Sequence, residues 1–197
     1  MQTPIDGDVS RPLIFVRHGA TAPNLAGLRC GGDLDVALTD VGRQQAAQAA
    51  QRIRALGLRV GVIVASDLQR TRETAAIIGH LLEGVEVVIE PAFAERHLGA
   101  WNLRPIAESE TELARGMTPP GGESDLAFID RISSGIEALL PRIAQQPLLV
   151  GSKGVARVLG NLLGQPDHNG HPGLSNGELA RFDLAAFSRC NTLEYTP

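Results

Sequence analysis

Arg17-His18-Gly19 stands directly after an apolar run, Pro12-Leu-Ile-Phe-Val16, and joins three residue types whose chemistries complement one another. Arginine offers a planar fork of donors to an oxyanion, histidine is a nucleophile or base near neutral pH, and glycine permits close backbone approach. A second arginine, Arg70, follows the apolar run Gly61–Ala65, within Ser66-Asp-Leu-Gln-Arg-Thr-Arg-Glu-Thr-Ala75. It falls near the start of a predicted helix, where free N–H groups and the macrodipole favour anions. Glu95 follows a third run, within Ala94-Glu-Arg-His-Leu-Gly-Ala-Trp101. Two arginines, one histidine and one carboxylate at neighbouring run ends describe a pocket for phosphoryl transfer. The arginines would bind the phosphoryl oxygens, the histidine would attack phosphorus, and the carboxylic acid would protonate the leaving alkoxide. Arg29 faces either this pocket or the surface.

Separate run ends meet only if the runs are strands of one sheet. Pro12–Val16, Gly61–Ala65, Val85–Ile89 and Leu148–Val150 are short and apolar, and Leu179–Leu184 adds a last strand. Segments of helical period lie between them. Thr39 can cap a helix to about Leu56, with Val41, Ala46, Ala49, Ile53 and Leu56 on one face and Gly57 as its stop. Further helices are predicted over Arg70–Leu82, between Pro105 and Arg115, from a Ser124 cap to about Ile143, and over Val155–Leu163. Alternating strands and helices with short connections predict a three-layer α/β/α domain with a mostly parallel sheet. In such sheets ligands bind outside the carboxyl ends of the strands, which is where the candidate residues stand.

Length and composition bound the alternatives. A chain of 197 residues with 43% hydrophobic content suits one domain spanning residues 1–197. Its ends, Met1–Ser10 and Phe187–Pro197, read as loosely held tails. No apolar run approaches the ~20 residues of a membrane helix, and the polar start shows no secretory signal. Two cysteines, Cys30 and Cys190, allow at most one bridge, which argues for a reducing, cytoplasmic setting. A net charge of −4 without any Lys/Arg run argues against nucleic acid as a partner. Asp167-His-Asn-Gly-His171 lacks further ligands at metal-site spacing and reads as a polar loop. His80 sits late in a helix, His97 in a surface loop, and Trp101 beneath the Glu95 segment.

Arg17-His18-Gly19 with Thr21 and Asn24 resembles the signature of the histidine phosphatase superfamily, which includes the cofactor-dependent phosphoglycerate mutases. Gly31–Arg43, Ser66–Ala75, Glu95 with Gly99 and Trp101, and Pro119–Ser124 resemble further segments of that family, in the same order. The resemblance implies a phosphoglycerate mutase-like fold, His18 as the nucleophile that forms a phosphohistidine, and Glu95 as general acid. It also implies that Arg17 and Arg70 hold the phosphoryl group, with Asn24 reaching one of its oxygens and Thr21 nearby. It implies no metal and no organic cofactor.

One family element is missing. Where a second histidine is usual, this chain reads Val150-Gly-Ser-Lys-Gly-Val-Ala-Arg157. An ungapped register places Ser152 at the histidine position; a one-residue gap places Lys153 there. Losing such a donor costs on the order of 3 kcal/mol, roughly a hundredfold in rate, although serine still donates a neutral hydrogen bond and Lys153 could restore charge. Alternatively, Ser152 and Lys153 are only a helix cap and a solvated side chain. The sequence therefore points to a metal-independent phosphomonoesterase acting on a small phosphate ester, weakened by this loss. The alternatives are a phospholigand-binding or regulatory protein, an enzyme of altered specificity, and a mutase. The short stretch between Glu95 and Pro119 offers little of the cover a mutase needs. Specificity falls to Leu28–Asp35 and His97–Met117, and neither substrate nor oligomeric state is written in the residues.

Overall fold

The computed structural model describes residues 12–165 and 173–187. Five strands form one sheet: β1 (Pro12–Arg17), β2 (Val62–Ala65), β3 (Val87–Ile89), β4 (Pro147–Gly151) and β5 (Leu179–Asp183). Their spatial order is β3-β2-β4-β1-β5, with β5 antiparallel to β1 and every other pairing parallel. The helices are α1 (Ala22–Leu25), α2 (Asp40–Ala55), α3 (Gln69–Leu81), α4 (Ile106–Ala114), α5 (Asp125–Leu139) and α6 (Lys153–Leu162).

The pleat divides each strand between two cores, because successive side chains point to opposite faces. Ile14, Val16, Ile63, Ala65, Leu148 and Val150 meet Ala49, Ala50 and Ile53 of α2 and Ala75 and Ile78 of α3. Leu13, Phe15, Val64 and Leu149 meet Phe128, Ile132 and Ile136 of α5 and Val155, Val158 and Leu159 of α6. This burial on both faces explains why β1, β2 and β4 read as unbroken apolar runs. The expected three-layer, mostly parallel architecture is present.

The Thr39 side chain caps α2 by accepting from the Gly42 N–H at 3.1 Å, and Gly57, with φ 63°, takes the left-handed turn that follows. The helix from Ser124 ends earlier than its apolar pattern suggests. α5 stops at Leu139, and Pro141, which lacks an N–H, turns the continuation into a 3-10 segment over Leu140–Gln145. Two of the predicted strands also begin late, at Val62 and Val87. Among the described residues no helix is long and apolar enough to cross a membrane. The tails at 1–11 and 188–197, the loop Asp167–His171 and Cys190 lie outside the described residues.

Candidate active site

The carboxyl ends of β1 and β4 adjoin in parallel register, Arg17 opposite Gly151, so the residues that follow each strand share one rim. His18 is fixed there through its backbone. Its N–H donates to the Gly151 carbonyl at 2.9 Å, and its own carbonyl accepts from Asn176 Nδ2 at 2.9 Å. The next two residues are held from the helices: the Gly19 N–H donates to Thr74 Oγ1 of α3 and the Ala20 N–H to Gln45 Oε1 of α2. Gly19 lies so close to α2 that a Cβ would stand 2.1 Å from the Gly42 carbonyl oxygen. The sheet and both helices therefore fix the backbone before any ligand arrives.

The His18 ring is 3% exposed, and its Nδ1 lies 2.8 Å from the Gly19 carbonyl oxygen. A carbonyl can only accept, so Nδ1 carries the proton and Nε2 keeps its lone pair. Burial, reinforced by the charges of Arg70 and Arg17, holds the imidazole well below its usual pKa. The ring is neutral. It lines a cavity of about 480 Å³ together with Arg17, Asn24, Glu95, Ser152 and Lys153.

Arg17 directs Nη1 to the Leu174 carbonyl at 2.5 Å, while its buried Nε has no protein partner. Ser152, 3% exposed, occupies the cap position of α6, yet its hydroxyl makes no cap hydrogen bond and is likewise unpartnered. Buried polar atoms normally find partners, so these two donors on one cavity wall are available to a ligand's oxygens. Asn24 Oδ1 accepts from the Thr21 N–H and from Asn176 Nδ2, which leaves its own amide nitrogen to donate. Thr21 itself is fully buried and is not part of the cavity wall. Nor is Arg70, which is 0% exposed, with Nη1 on the Leu34 carbonyl, Nη2 on the Gly31 carbonyl and an unpartnered Nε. Arg70 stands behind the wall, and its charge reaches His18 through space.

Glu95 enters the cavity from the segment after β3. Its Oε1 accepts from the Arg96 N–H at 2.8 Å and its Oε2 from the Gly154 N–H at 3.0 Å, tying it to the first turn of α6. The segment is pinned to α5. Arg131 donates to the carbonyls of Ala92, Ala94 and Glu95 and pairs with Glu123 at 2.7 Å, and Arg96 pairs with Asp125 at 2.6 Å. Arg29 reaches the cavity and donates from Nε to Ser109 Oγ of α4, which joins the first loop to the cover. Lys153 begins α6 with an exposed side chain along the wall. His97 is exposed and apart from the cavity.

The profile of the histidine phosphatase superfamily (branch 1) matches residues 13–188. The chain belongs to the histidine phosphatase superfamily. Within the superfamily it is 37% identical over 166 residues to the "Probable phosphoglycerate mutase GpmB" of Erwinia tasmaniensis, covering 78% of this chain and 75% of that protein. Its fold superposes with TM-score 0.72 on a mycobacterial glucosyl-3-phosphoglycerate phosphatase in complex with VO3, at 29% identity over 87% of this chain and 92% of the other. Mycobacterial hydrolase 1 superposes with TM-score 0.72 at 26% identity, covering 87% and 91% of the two chains.

Reading residues one at a time misses the fixtures around the histidine phosphatase site. Asn176 holds both His18 and Asn24 from 158 and 152 residues away, so no local pattern marks it. Gly154 is legible in principle, since a glycine beside a strand end signals close approach. A Cβ there would stand 2.1 Å from Glu95 Oε1.

Proposed function

We propose that this chain is a metal-independent phosphomonoesterase that works through a phosphohistidine on His18. The observation that carries the reading is the state of that ring: neutral, with Nδ1 held by the Gly19 carbonyl and Nε2 left as the nucleophile beside the unpartnered Arg17 Nε. In the first step Nε2 attacks phosphorus, the bond from phosphorus to the ester oxygen breaks, and Glu95 gives its proton to the departing alkoxide. In the second, Glu95 takes a proton from water, the water oxygen attacks phosphorus, and the nitrogen–phosphorus bond breaks to release phosphate. Arg17, the Asn24 amide and the Ser152 hydroxyl hold the phosphoryl oxygens, and Arg70 adds charge from behind. Thr21 positions Asn24 through its N–H.

The buried Ser152 hydroxyl on the wall supports the register in which serine stands at the second histidine position. A neutral donor stabilises developing charge less than an imidazolium does, and turnover is correspondingly slow. Lys153, one residue on, partly restores the charge at that end of the cavity. The test uses two ester classes. Alkyl esters need a proton on the leaving group and aryl esters do not, so Glu95→Gln should lower kcat/KM, which reports the first step, far more for ethyl phosphate than for 4-nitrophenyl phosphate. Equal losses would remove Glu95 from the acid role. Ser152 also favours a second reading, a phospholigand-binding protein without turnover. That reading requires phosphate to bind while both esters remain intact.

A further inference from the structure

The phosphoryl end occupies one part of the cavity, and the remainder has a different character. Leu28, Leu98, Ile106, Leu113, Ala156 and Leu174 line it, contributed by the first loop, the Glu95 segment, α4, α6 and the segment before β5. Ile106 is 36% exposed, an aliphatic side chain left partly open to water at this wall. Two of the arginines of this outer part, Arg96 and Arg29, are already engaged. Arg96 is 3% exposed and donates to Asp125, to the Glu123 carbonyl and to the Met117 carbonyl. Arg29 donates to Ser109 and to the Ile106 carbonyl, and Glu110 is the carboxylate that acts on it most strongly. Arg157 shares Asp125 at 3.9 Å. A carboxylate or second phosphate on the substrate would have to compete with these partners, and it would meet Glu110 on the same wall. At about 480 Å³ the space is of the size that holds a drug-sized molecule, far beyond one phosphoryl group.

Resting on the reading that the phosphoryl group sits at Arg17 and His18, we infer that the preferred substrates are monoesters of uncharged, largely apolar alcohols. Specificity then comes from area buried against the outer wall. Anionic esters of phosphoglycerate size lack that area, and of the outer arginines Arg29 and Arg96 are committed elsewhere while Arg157 is half-exposed, where pairing in water gains little.

The test measures binding, not turnover, so that it does not depend on catalysis. Methyl-, butyl- and octylphosphonate are titrated into the full chain by calorimetry, with 3-phosphonopropionate as the carboxylate-bearing comparator. Kd should fall by about two- to fourfold per methylene, and 3-phosphonopropionate should bind more weakly than butylphosphonate. Leu113→Asp should flatten the chain-length dependence, weakening octylphosphonate far more than methylphosphonate; Ile106→Asp gives an independent check at an exposed position of the same wall. A Kd independent of chain length, a preference for the carboxylate, or an undiminished slope in both variants would overturn the inference. Failure of the catalytic reading shows elsewhere, as intact ethyl and 4-nitrophenyl phosphate beside a normal chain-length series.

Discussion

Gly154 has no side chain, and Glu95 fills the space that one would need. A Cβ at this position would approach Oε1 to 2.1 Å, so Gly154→Ala must displace the carboxylate or the first turn of α6. Its expected effect resembles Glu95→Gln in kind: alkyl esters should slow at least tenfold more than aryl esters, measured as the ratio of their kcat/KM values. Ser152→His tests another part of the same cavity wall. It should raise hydrolysis of 4-nitrophenyl phosphate, by up to about a hundredfold, since one charged donor to the developing oxyanion is worth about that much. An unchanged rate in a correctly folded variant would contradict the assignment of Ser152 to the phosphoryl oxygens. His18 makes a prediction about stability. Its folded pKa is depressed by burial and by Arg70 and Arg17, so below the usual imidazole value the unfolded chain takes up a proton that the folded chain refuses. Its contribution is present above pH ~6.5 and is lost as pH falls from there toward the depressed folded value. His18→Gln should therefore show a shallower loss of stability between pH 7.5 and pH 5 in urea titrations than the parent chain. The chemical residues are legible in the sequence because each stands where an apolar run ends; their partners are not. The sequence casts Arg70 as a direct clamp, yet its two Nη atoms serve carbonyls in the first loop, a choice made by chain geometry 36 and 39 residues away.

At the level of elements, the site depends on how closely α2 approaches the loop after β1. Gly19 faces the Gly42 backbone and Gly42 faces the Ala20 backbone: a Cβ on Gly42 would stand 2.2 Å from the Ala20 carbonyl oxygen. Gly42→Ala should consequently destabilise the fold by about 1–3 kcal/mol and lower activity as well, because it pushes on the loop that carries His18. Thr39→Ala removes the α2 cap together with the hydroxyl's hydrogen bond to the Ala20 carbonyl, which keeps the Thr39 N–H as a donor. It adds no bulk against the loop and should cost about 1–2 kcal/mol with kcat lowered less than in Gly42→Ala, which separates lost bonding from loop displacement. Chemical denaturation and kcat measured on both variants check the pair. Strands and helices can be placed from the sequence because two-sided burial leaves continuous apolar runs and α2 carries both a cap and a glycine stop. The short turns cannot. The 3-10 segments Pro91–Phe93 and Gly99–Trp101 owe their shape to tertiary bonds, such as those from the Leu98 and Gly99 N–H groups to Asp33.

Across the whole molecule, charge is distributed unevenly. The chain carries a net charge of −4, yet Arg17, Arg70 and Lys153 gather near the carboxyl ends of the parallel strands around Glu95. On the proposed function that end of the sheet would receive the phosphoryl dianion, and the apolar outer wall would select the alcohol it is attached to. Both specificity stretches read from the sequence, Leu28–Asp35 and His97–Met117, contribute to that wall, although nothing in their residue types alone shows that their side chains converge. The central claim is that His18 becomes covalently phosphorylated. Its most direct measurement is rapid mixing of the chain with 4-nitrophenyl phosphate, quenching in alkali to preserve phosphohistidine, and peptide mass spectrometry. The account predicts a phosphoryl group on His18 that forms before steady state and is absent from His18→Ala. Steady turnover with no phosphoryl group on His18 at any time, or turnover that persists in His18→Ala, would contradict it.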